Sequence, residues 1–247
     1  AAGWNWIGYL PTVGMGVNDA MASLGLIDGD YIKSQSTFAT YYDGYGWYIA
    51  FDMEPNNGYL LQMQNESTLI YPSGLMGRNY ISMNDYLSPS DEFDYRQYEF
   101  NGSITSSIHI EDIIVDQEDI LYAYSDGELR GLSSPKIFPL TNEYVVSLMV
   151  YSNTNNDIIN FEFYNHETDT YYAIEDIISF EKDMIIGDAF DTFELRSEPV
   201  TPGQFKLSPA YPNPFNPVTN ITYTIDNSNI IKVVIYDIMG REVAIVE

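Results

Sequence analysis

The side chains best suited to chemistry in this sequence are carboxylates, which gather in short acidic groups. The chain has 36 Asp and Glu residues against 10 Lys and Arg, with 2 histidines and no cysteine. Closely spaced loop carboxylates supply the oxygen ligands that Ca²⁺ prefers, so we expect at least one calcium ion to order a loop. The candidate ligands are Asp28, Asp30, Asp116, Glu118, Asp119, Asp126 and Glu128, with Asp188 and Asp191 as a further pair. None of these groups has the EF-hand spacing, and the alternative is that they are solvated turn residues.

Little in the sequence indicates catalysis. His109 falls on the polar face of a predicted strand and His166 falls in a turn, positions typical of solvent-exposed histidines. Nucleophile-elbow, zinc-protease and phosphate-binding-loop motifs are absent from the sequence. With so many carboxylates, some pair falls at glycosidase separation in any fold, so acidic residues alone do not indicate a hydrolase. We therefore predict that the protein is not an enzyme.

One aromatic-rich stretch, residues 41–48, is a candidate sugar-binding platform. It reads YYDGYGWY, and Tyr45 and Trp47 are the rings that we expect to stack on pyranose faces. The alternative is that alternate rings of this stretch belong to the core and the others pack at its edge. Glycans are therefore one candidate ligand class.

The charge of the chain excludes several partners. A net charge of -26 repels nucleic acid and anionic membranes. No apolar run approaches the roughly 20 residues of a membrane-spanning helix, so no membrane span is expected. The absence of cysteine excludes disulfides and thiolate chemistry. Without disulfides, the fold must rely on its cores, on ions or on assembly.

Composition and turn spacing predict a mainly β fold built from consecutive β-sandwich-like modules. The 22 tyrosines favour pleated, half-buried surfaces. Turn signals recur at roughly ten-residue intervals with no alternating helices, which favours antiparallel sandwiches over parallel sheets. One short helix is predicted near the N-terminus at residues 17–24, with Asn18 or Asp19 as its cap and Gly25 just past its end.

Three domains are predicted. Residues 1–75 form an N-terminal β-rich module that contains the helix, residues 76–198 an antiparallel β-sandwich, and residues 199–247 a proline-rich linker followed by further strands. The clearest strand patterns lie at residues 47–51, 59–63, 68–71, 100–110, 120–124, 144–151, 158–164, 171–174, 184–186 and 190–195. In residues 158–164, for example, Ile159, Phe161 and Phe163 alternate with polar residues.

The last segment opens with four prolines, Pro209, Pro212, Pro214 and Pro217. Proline fixes φ and pushes the preceding residue into an extended conformation, so this segment is a stiff lead-in. Strand patterns follow at residues 221–225, 230–238 and 243–246.

This segment resembles the C-terminal sorting domain of proteins exported by the type IX secretion system of Bacteroidetes and their relatives. The resemblance rests on YPNPFNP, then T-x-I-x-Y, then V-x-I-Y-D-x-x-G-R-E-V. The matching motif residues are Tyr211, Pro212, Asn213, Pro214, Phe215, Asn216, Pro217 and Gly240. The family's domain continues past this point, so we expect residues 199–247 to hold its first half. The resemblance implies a secreted, extracellular protein at the cell surface, with the type IX machinery as a partner.

Two upstream stretches carry weaker resemblances. Residues 3–72, with GWNWIGYLP and DGDYIKSQSTFATY, resemble a repeat module of large surface proteins of the same bacteria. Residues 119–131 and 147–152 resemble a β domain that often precedes such sorting tails. Neither resemblance implies a reaction.

The function expected from these features is that of a secreted cell-surface structural or adhesive protein. The alternative is a pair of carbohydrate-binding modules from a larger secreted hydrolase. In the tail, the strands that carry Val233, Ile235, Val243 and Ile245 leave a sheet edge to be completed. The rest of a longer chain, an adjacent domain or a strand from a neighbouring copy are the three candidates. The last would join copies head to tail into a filament.

Overall fold

The computed structural model describes residues 1–72 and 93–197, together with 206–207, 223–224, 232–236, 239 and 241–246. These residues are mainly in β-strands, with a single α-helix and one 3-10 turn at Tyr95–Gln97, so the prediction of a mainly β fold is confirmed. The chain forms two compact units, Ala1–Glu198 and Pro199–Glu247. The three predicted domain boundaries stay predictions.

The N-terminal part of the first unit is a five-stranded antiparallel sheet. Its strands, in spatial order, are β1 (Gly3–Gly8), β7 (Gly58–Met63), β3 (Tyr31–Lys33), β4 (Phe38–Tyr42) and β5 (Gly46–Tyr48). Two short strands, β2 (Met15–Gly16) and β6 (Asp52–Met53), pair beside it. Side chains alternate between the faces of a strand, and Tyr59, Leu61 and Met63 of β7 enter one core with the helix residues Val17 and Ala20.

The helix, α1 (Val17–Ala20), is shorter than the predicted 17–24. Asn18 does not cap it, because its side-chain Oδ1 accepts the backbone N–H of Trp47 at 3.0 Å instead. Beyond Ala20 the backbone bonds tighten into turns, with Leu24 N–H donating to the Met21 carbonyl at 3.0 Å. The helix was predicted in the right place, but its length and its cap were wrong.

The predicted strand at residues 68–71 does not form, since these residues are outside any sheet. The backbone N–H of Ile70 donates to Ser23 Oγ at 2.8 Å, and the Tyr71 hydroxyl donates to the Gly8 carbonyl at 3.0 Å. Tyr71 packs against the core. The segment therefore closes over the core through side-chain contacts rather than through strand pairing.

Residues 93–197 form a sandwich of two sheets. One sheet has the order β10 (Glu128–Ser133), β9 (Ile120–Ser125), β13 (Ile158–Asn165) and β14 (Thr170–Ser179). The other has the order β11 (Lys136–Phe138), β12 (Glu143–Ser152), β8 (Phe100–His109) and β15 (Ile185–Ile186), with β16 (Phe193–Arg196) also paired to β8. Ile159, Phe161 and Phe163 of β13 lie in the core between the sheets, as the alternating pattern predicted.

The sandwich is not purely antiparallel, because β15 and β16 pair with β8 in parallel. They lie one after the other along β8, and Gly187 begins the loop between them. Gly187 has a φ of 68°, and a Cβ there would lie 2.4 Å from the carbonyl oxygen of Thr105. Only glycine fits this close approach. Gly187 therefore lets the chain turn away from β8 after β15 and pair with β8 again in β16.

The second face of the N-terminal sheet packs on the sandwich within the same compact unit. We call this contact the seam. From the sheet it is formed by Tyr31, Phe38, Tyr42 and Tyr48, and from the sandwich by Tyr98, Phe138, Val145, Met149 and Tyr151. Residues 31–33 and 38–42 are therefore covered on both faces, which is why their sequence alternates only loosely.

The described part of the second unit contains two strand pairs. β17 (Lys206–Leu207) pairs with β18 (Tyr223–Thr224), and β19 (Val233–Tyr236) pairs with β20 (Glu242–Val246), both antiparallel. The last pair corresponds to the strands predicted at 230–238 and 243–246. The sorting-motif residues 211–217 and Gly240 lie outside the described residues.

Candidate binding surfaces

The first acidic group, Asp28 and Asp30, closes loops of the N-terminal sheet. Asp30 is fully buried, and its carboxylate accepts the backbone N–H of Ile27 at 3.0 Å and of Gln64 at 2.8 Å. Asp28 Oδ1 accepts the backbone N–H of Asp43. Both side chains therefore satisfy N–H groups that the turns leave without backbone partners.

The second acidic group surrounds the buried carboxylate of Asp119. Its Oδ1 accepts the Asn165 side-chain amide at 3.1 Å and the His166 backbone N–H at 2.8 Å, and its Oδ2 accepts the Asp116 backbone N–H at 2.8 Å. Glu118 Oε2 lies 3.0 Å from His166 Nδ1 at the surface. Asp119 thus ties the start of β9 to the turn between β13 and β14.

The third acidic group belongs to a tight hairpin. Asp126 and Gly127 have φ values of 53° and 77° and turn the chain from β9 into β10. Glu128 Oε2 lies 3.4 Å from Arg130 Nη2. Across the described ranges, no three acidic or histidine side chains converge into a metal-binding group. Calcium binding stays a prediction.

The predicted sugar platform lies beside a cleft of about 530 Å³. The cleft is lined by Asn18, Leu24, Tyr41, Tyr45, Trp47 and neighbouring residues. Trp47 is only 1% exposed and belongs to the core, where its ring packs edge-on against Tyr41. Its inclusion in a sugar-stacking platform was therefore wrong, because no sugar reaches a buried ring face. Tyr45, at 44% exposed, also lines the cleft, and its ring centroid lies 6.2 Å from that of Tyr48 and 6.4 Å from that of Phe138.

The hairpin tip that carries Tyr45 is held in place by backbone geometry. Gly44 and Gly46 have φ values of 77° and 102°, and a Cβ on Gly46 would lie 2.5 Å from Asn18 Oδ1. The same Asn18 oxygen accepts the Trp47 N–H, so α1 fixes the hairpin between β4 and β5.

A second aromatic surface was not recognised in the sequence. It lies on the outward face of β9, β13 and β14 and contains Tyr122, Tyr124, Tyr164 and Tyr171. We call it the tyrosine face. Tyr122 and Tyr124 alternate with the buried Leu121 and Ala123, so the period-two pattern held the signal that both tyrosines point away from the core.

The rings of the tyrosine face form a continuous row. The centroid of Tyr124 lies 6.2 Å from that of Tyr122, Tyr122 lies 6.3 Å from Tyr171, and Tyr171 lies 4.8 Å from Tyr164. The Tyr164 hydroxyl donates to Asp169 Oδ1 at 2.9 Å, which fixes this end of the row. The hydrogen bond to Asp169 also raises the pKa of Tyr164, because it stabilises the protonated phenol.

Glu162 lies within this row. In the strand register it is opposite Tyr122 of β9 on one side and Ala173 of β14 on the other. Burial raises the pKa of the Glu162 carboxyl above its usual range, since desolvation disfavours the charged form. The face therefore combines aromatic surface with a carboxyl group that keeps its proton to higher pH than an exposed glutamate.

The predicted assembly edge lies on the β19–β20 hairpin. Val233 is opposite Val246, Val234 is opposite Ile245, and Ile235 is opposite Ala244. Ile235 is 43% exposed, Tyr236 60% and Val243 64%. In the described part of the tail, this pair of strands forms a sheet of its own. It therefore presents apolar side chains to the surroundings.

Comparisons with protein families, with curated proteins and with solved structures found no match to this chain. In the part of the chain that the structure describes, no helix is long and apolar enough to cross a membrane. The structure is thus that of a mainly β protein, in which a sheet packs on a sandwich in the first unit and the tail forms a second unit.

Proposed function

We propose that the protein is a secreted structural or adhesive protein of the cell surface, exported by type IX secretion, whose copies associate through the tail. The observation that carries the assembly is the β19–β20 hairpin with the exposed side chains of Ile235, Tyr236 and Val243. The resemblance of residues 208–247 to a sorting domain supports the export route.

Strand addition is the mode of association that this hairpin favours. Two-stranded sheets are marginally stable in water, and an exposed edge with apolar side chains invites a further strand. An edge that receives a different element of the next copy makes a heterologous contact, and repetition of that contact gives a filament. Because the chain carries a net charge of -26, such association requires salt or cations to screen the repulsion.

The seam supports a structural role for the first unit. Aromatic rings from both sides are buried there, and the buried Lys33 side chain of the sheet reaches Asp183 and Asn101 of the sandwich. A large apolar contact with internal polar bonds holds two β layers as one body. A rigid spacer of this kind suits a surface protein that transmits force.

The assembly is tested on the intact chain by light scattering and electron microscopy over a range of protein and salt concentrations. We expect oligomers that grow with concentration, and their loss in the double variant Ile235→Lys/Val243→Lys. Ile114→Lys is a matched control, because Ile114 is 76% exposed but lies in the first unit. Monodisperse wild-type monomers at high concentration and physiological salt would contradict the assembly.

The export route is tested in the bacterium that makes the protein. Replacement of residues 211–217 by Gly and Ser should leave the protein inside the cell envelope, while a substitution in the first unit such as Ile114→Lys should not. Equal surface display of the motif variant and the wild type would contradict type IX sorting through this motif.

A second candidate function, carbohydrate binding, is favoured by the cleft beside Tyr45. Tyr45 is 44% exposed and lines, together with Asn18, a cleft of about 530 Å³. A glycan array would separate this function from a purely structural one. Binding that is lost in Tyr45→Ala and kept in Trp6→Ala, which removes an aromatic side chain that is 82% exposed elsewhere, would place the ligand in the cleft.

A further inference from the structure

We propose that the tyrosine face binds a neutral polysaccharide, which lies along the row formed by Tyr124, Tyr122, Tyr171 and Tyr164. This site is separate from the Tyr45 cleft, and the inference rests neither on the cleft nor on the tail.

The arrangement of the rings favours an extended polymer over a single bound group. Successive centroids are 6.2, 6.3 and 4.8 Å apart, and the interplanar angles are 24°, 38° and 44°. Aromatic cages for cations surround one point with several rings. Here two rings lie along β9 and the other two form a pair on the neighbouring strands β13 and β14, so an extended chain would meet several rings.

The charge of the surface decides which polymers fit. The strands β9, β13 and β14 contain neither lysine nor arginine, while Glu162, Glu175 and the adjacent Asp169 are acidic. Nucleic acids and acidic polysaccharides would meet the like charge of these strands. A second copy of this face would bring carboxylates against carboxylates. A neutral polymer pays no such electrostatic cost.

The polar groups of the face complement sugar hydroxyls. Glu162 lies in the middle of the row, Asn160 is exposed two residues before it, and the tyrosines add hydroxyl groups that both donate and accept. Burial raises the pKa of the Glu162 carboxyl, and its oxygens lie among the rings as hydrogen-bonding groups. Amphipathic rings with polar groups between them suit a ligand with apolar CH faces and hydroxyl edges.

The side chains are partly held in place before any ligand arrives. Tyr164 is fixed by its bond to Asp169, and Tyr122 and Tyr124 are half-buried against their neighbours. A preordered surface loses less conformational entropy on binding than a mobile one. Tyr171, at 57% exposed, offers the largest accessible ring of the row.

The experiment is affinity electrophoresis of the intact chain in native gels that contain hydroxyethylcellulose, xyloglucan, galactomannan or mixed-linkage β-glucan. The strongly acidic protein migrates well in such gels, and a Tyr→Ala change leaves its charge unaltered. We expect at least one polymer to retard the wild type, with about tenfold weaker apparent affinity in Tyr122→Ala and in Tyr171→Ala. Tyr171→Phe, which keeps the ring, should retain most of the binding.

Two controls separate this site from others. Tyr45→Ala removes the exposed ring of the cleft, and Trp6→Ala removes a ring that is 82% exposed on the N-terminal sheet, so neither should reduce retardation. Thermal melts of each variant check that the fold is intact. No retardation by any of the polymers would overturn the proposal, as would equal retardation of wild type and Tyr171→Ala, or loss of binding in Tyr45→Ala alone. Binding only to polylysine, abolished by salt, would instead assign the face to a basic partner.

Discussion

Lys33 Nζ lies 2.7 Å from Asp183 Oδ1, and this ion pair joins the N-terminal sheet to the sandwich. The Lys33 side chain is 4% exposed and that of Asp183 36%. The ammonium group also donates to Asn101 Oδ1 at 2.8 Å. Burial lowers the pKa of Lys33, while the hydrogen bond and the charge of Asp183 oppose this shift. Lys33 is thus a buried charge that is stabilised by Asp183 and Asn101 of the sandwich, on the other side of the seam.

The first prediction concerns this pair. Lys33→Met should lower the free energy of unfolding by about 1–3 kcal/mol, less than for a fully buried pair because water reaches Asp183. A double-mutant cycle with Asp183→Asn, followed by urea unfolding, should give a coupling energy above about 0.5 kcal/mol. Lys182→Met is the matched control and should change stability little, since Lys182 is exposed. Additive effects of Lys33→Met and Asp183→Asn would show that the pair does not stabilise the seam.

The second prediction concerns Tyr42, whose ring packs on Phe138 with centroids 4.9 Å apart. Its hydroxyl oxygen accepts the buried N–H of Ala189 at 2.7 Å. Tyr42→Phe leaves that N–H without this acceptor, and we expect a loss of about 1–3 kcal/mol in unfolding free energy. Tyr45→Phe removes a hydroxyl from an exposed ring and should be nearly neutral. Equal effects of the two variants in urea unfolding would contradict the assigned bond.

The third prediction is a loss of stability at alkaline pH that depends on buried tyrosines. Burial raises the pKa of Tyr42 from 10.0 to about 12, and desolvation likewise raises the pKa of Tyr9 to about 12. Between pH 10 and 12 the unfolded chain loses these protons while the folded chain keeps them. Stability is therefore full below about pH 10 and falls as pH rises through this window, by about 2 kcal/mol for Tyr42 alone.

Urea unfolding at several pH values between 8 and 11 measures how steeply the free energy of unfolding falls as the pH rises. Tyr42→Phe removes one titrating group and should flatten the alkaline fall, whereas Tyr45→Phe should not. A slope that is the same in wild type and Tyr42→Phe would contradict the role of Tyr42.

The strands of the sandwich were predictable because one of their faces meets a core. Ile159, Phe161 and Phe163 alternate with more polar residues, and the structure buries all three. The strand limits 158–164 and 144–151 fall within one residue of β13 and β12. The alternating hydrophobic pattern was enough to place β13. Residues 144–151 instead read as a near-continuous apolar run, because the seam covers the second face of β12.

The seam was not predictable from local pattern. For the tyrosine face, the pattern placed Tyr122 and Tyr124 on one side of β9 but did not show that rings of β13 and β14 lie beside them. Tyr31 and Phe38 look like surface aromatics of a hairpin, and only tertiary packing shows that the sandwich covers them. Trp47 was misread for the same reason, because its neighbours Gly46 and Tyr48 do not show whether the indole is exposed or buried. The period of the hydrophobic residues shows which side chains of a strand share a face. It does not show which of the two faces another part of the protein covers.

The fourth prediction tests calcium. If an ion binds an acidic group, the midpoint of thermal unfolding should rise in millimolar Ca²⁺ relative to EDTA, by mass action on the folded state. The test is made on the Asp116–Asp119 group, where Asp116 Oδ1 accepts the Glu118 backbone N–H at 2.7 Å and the exposed Glu118 carboxylate lies 3.0 Å from His166 Nδ1. Glu118→Gln should then abolish the shift, while Glu128→Gln, in the hairpin after β9, should preserve it. An unchanged midpoint in EDTA would contradict calcium binding. The backbone N–H donors of Asp116 and His166, with the Asn165 amide, would then be the partners that stabilise the buried Asp119 carboxylate.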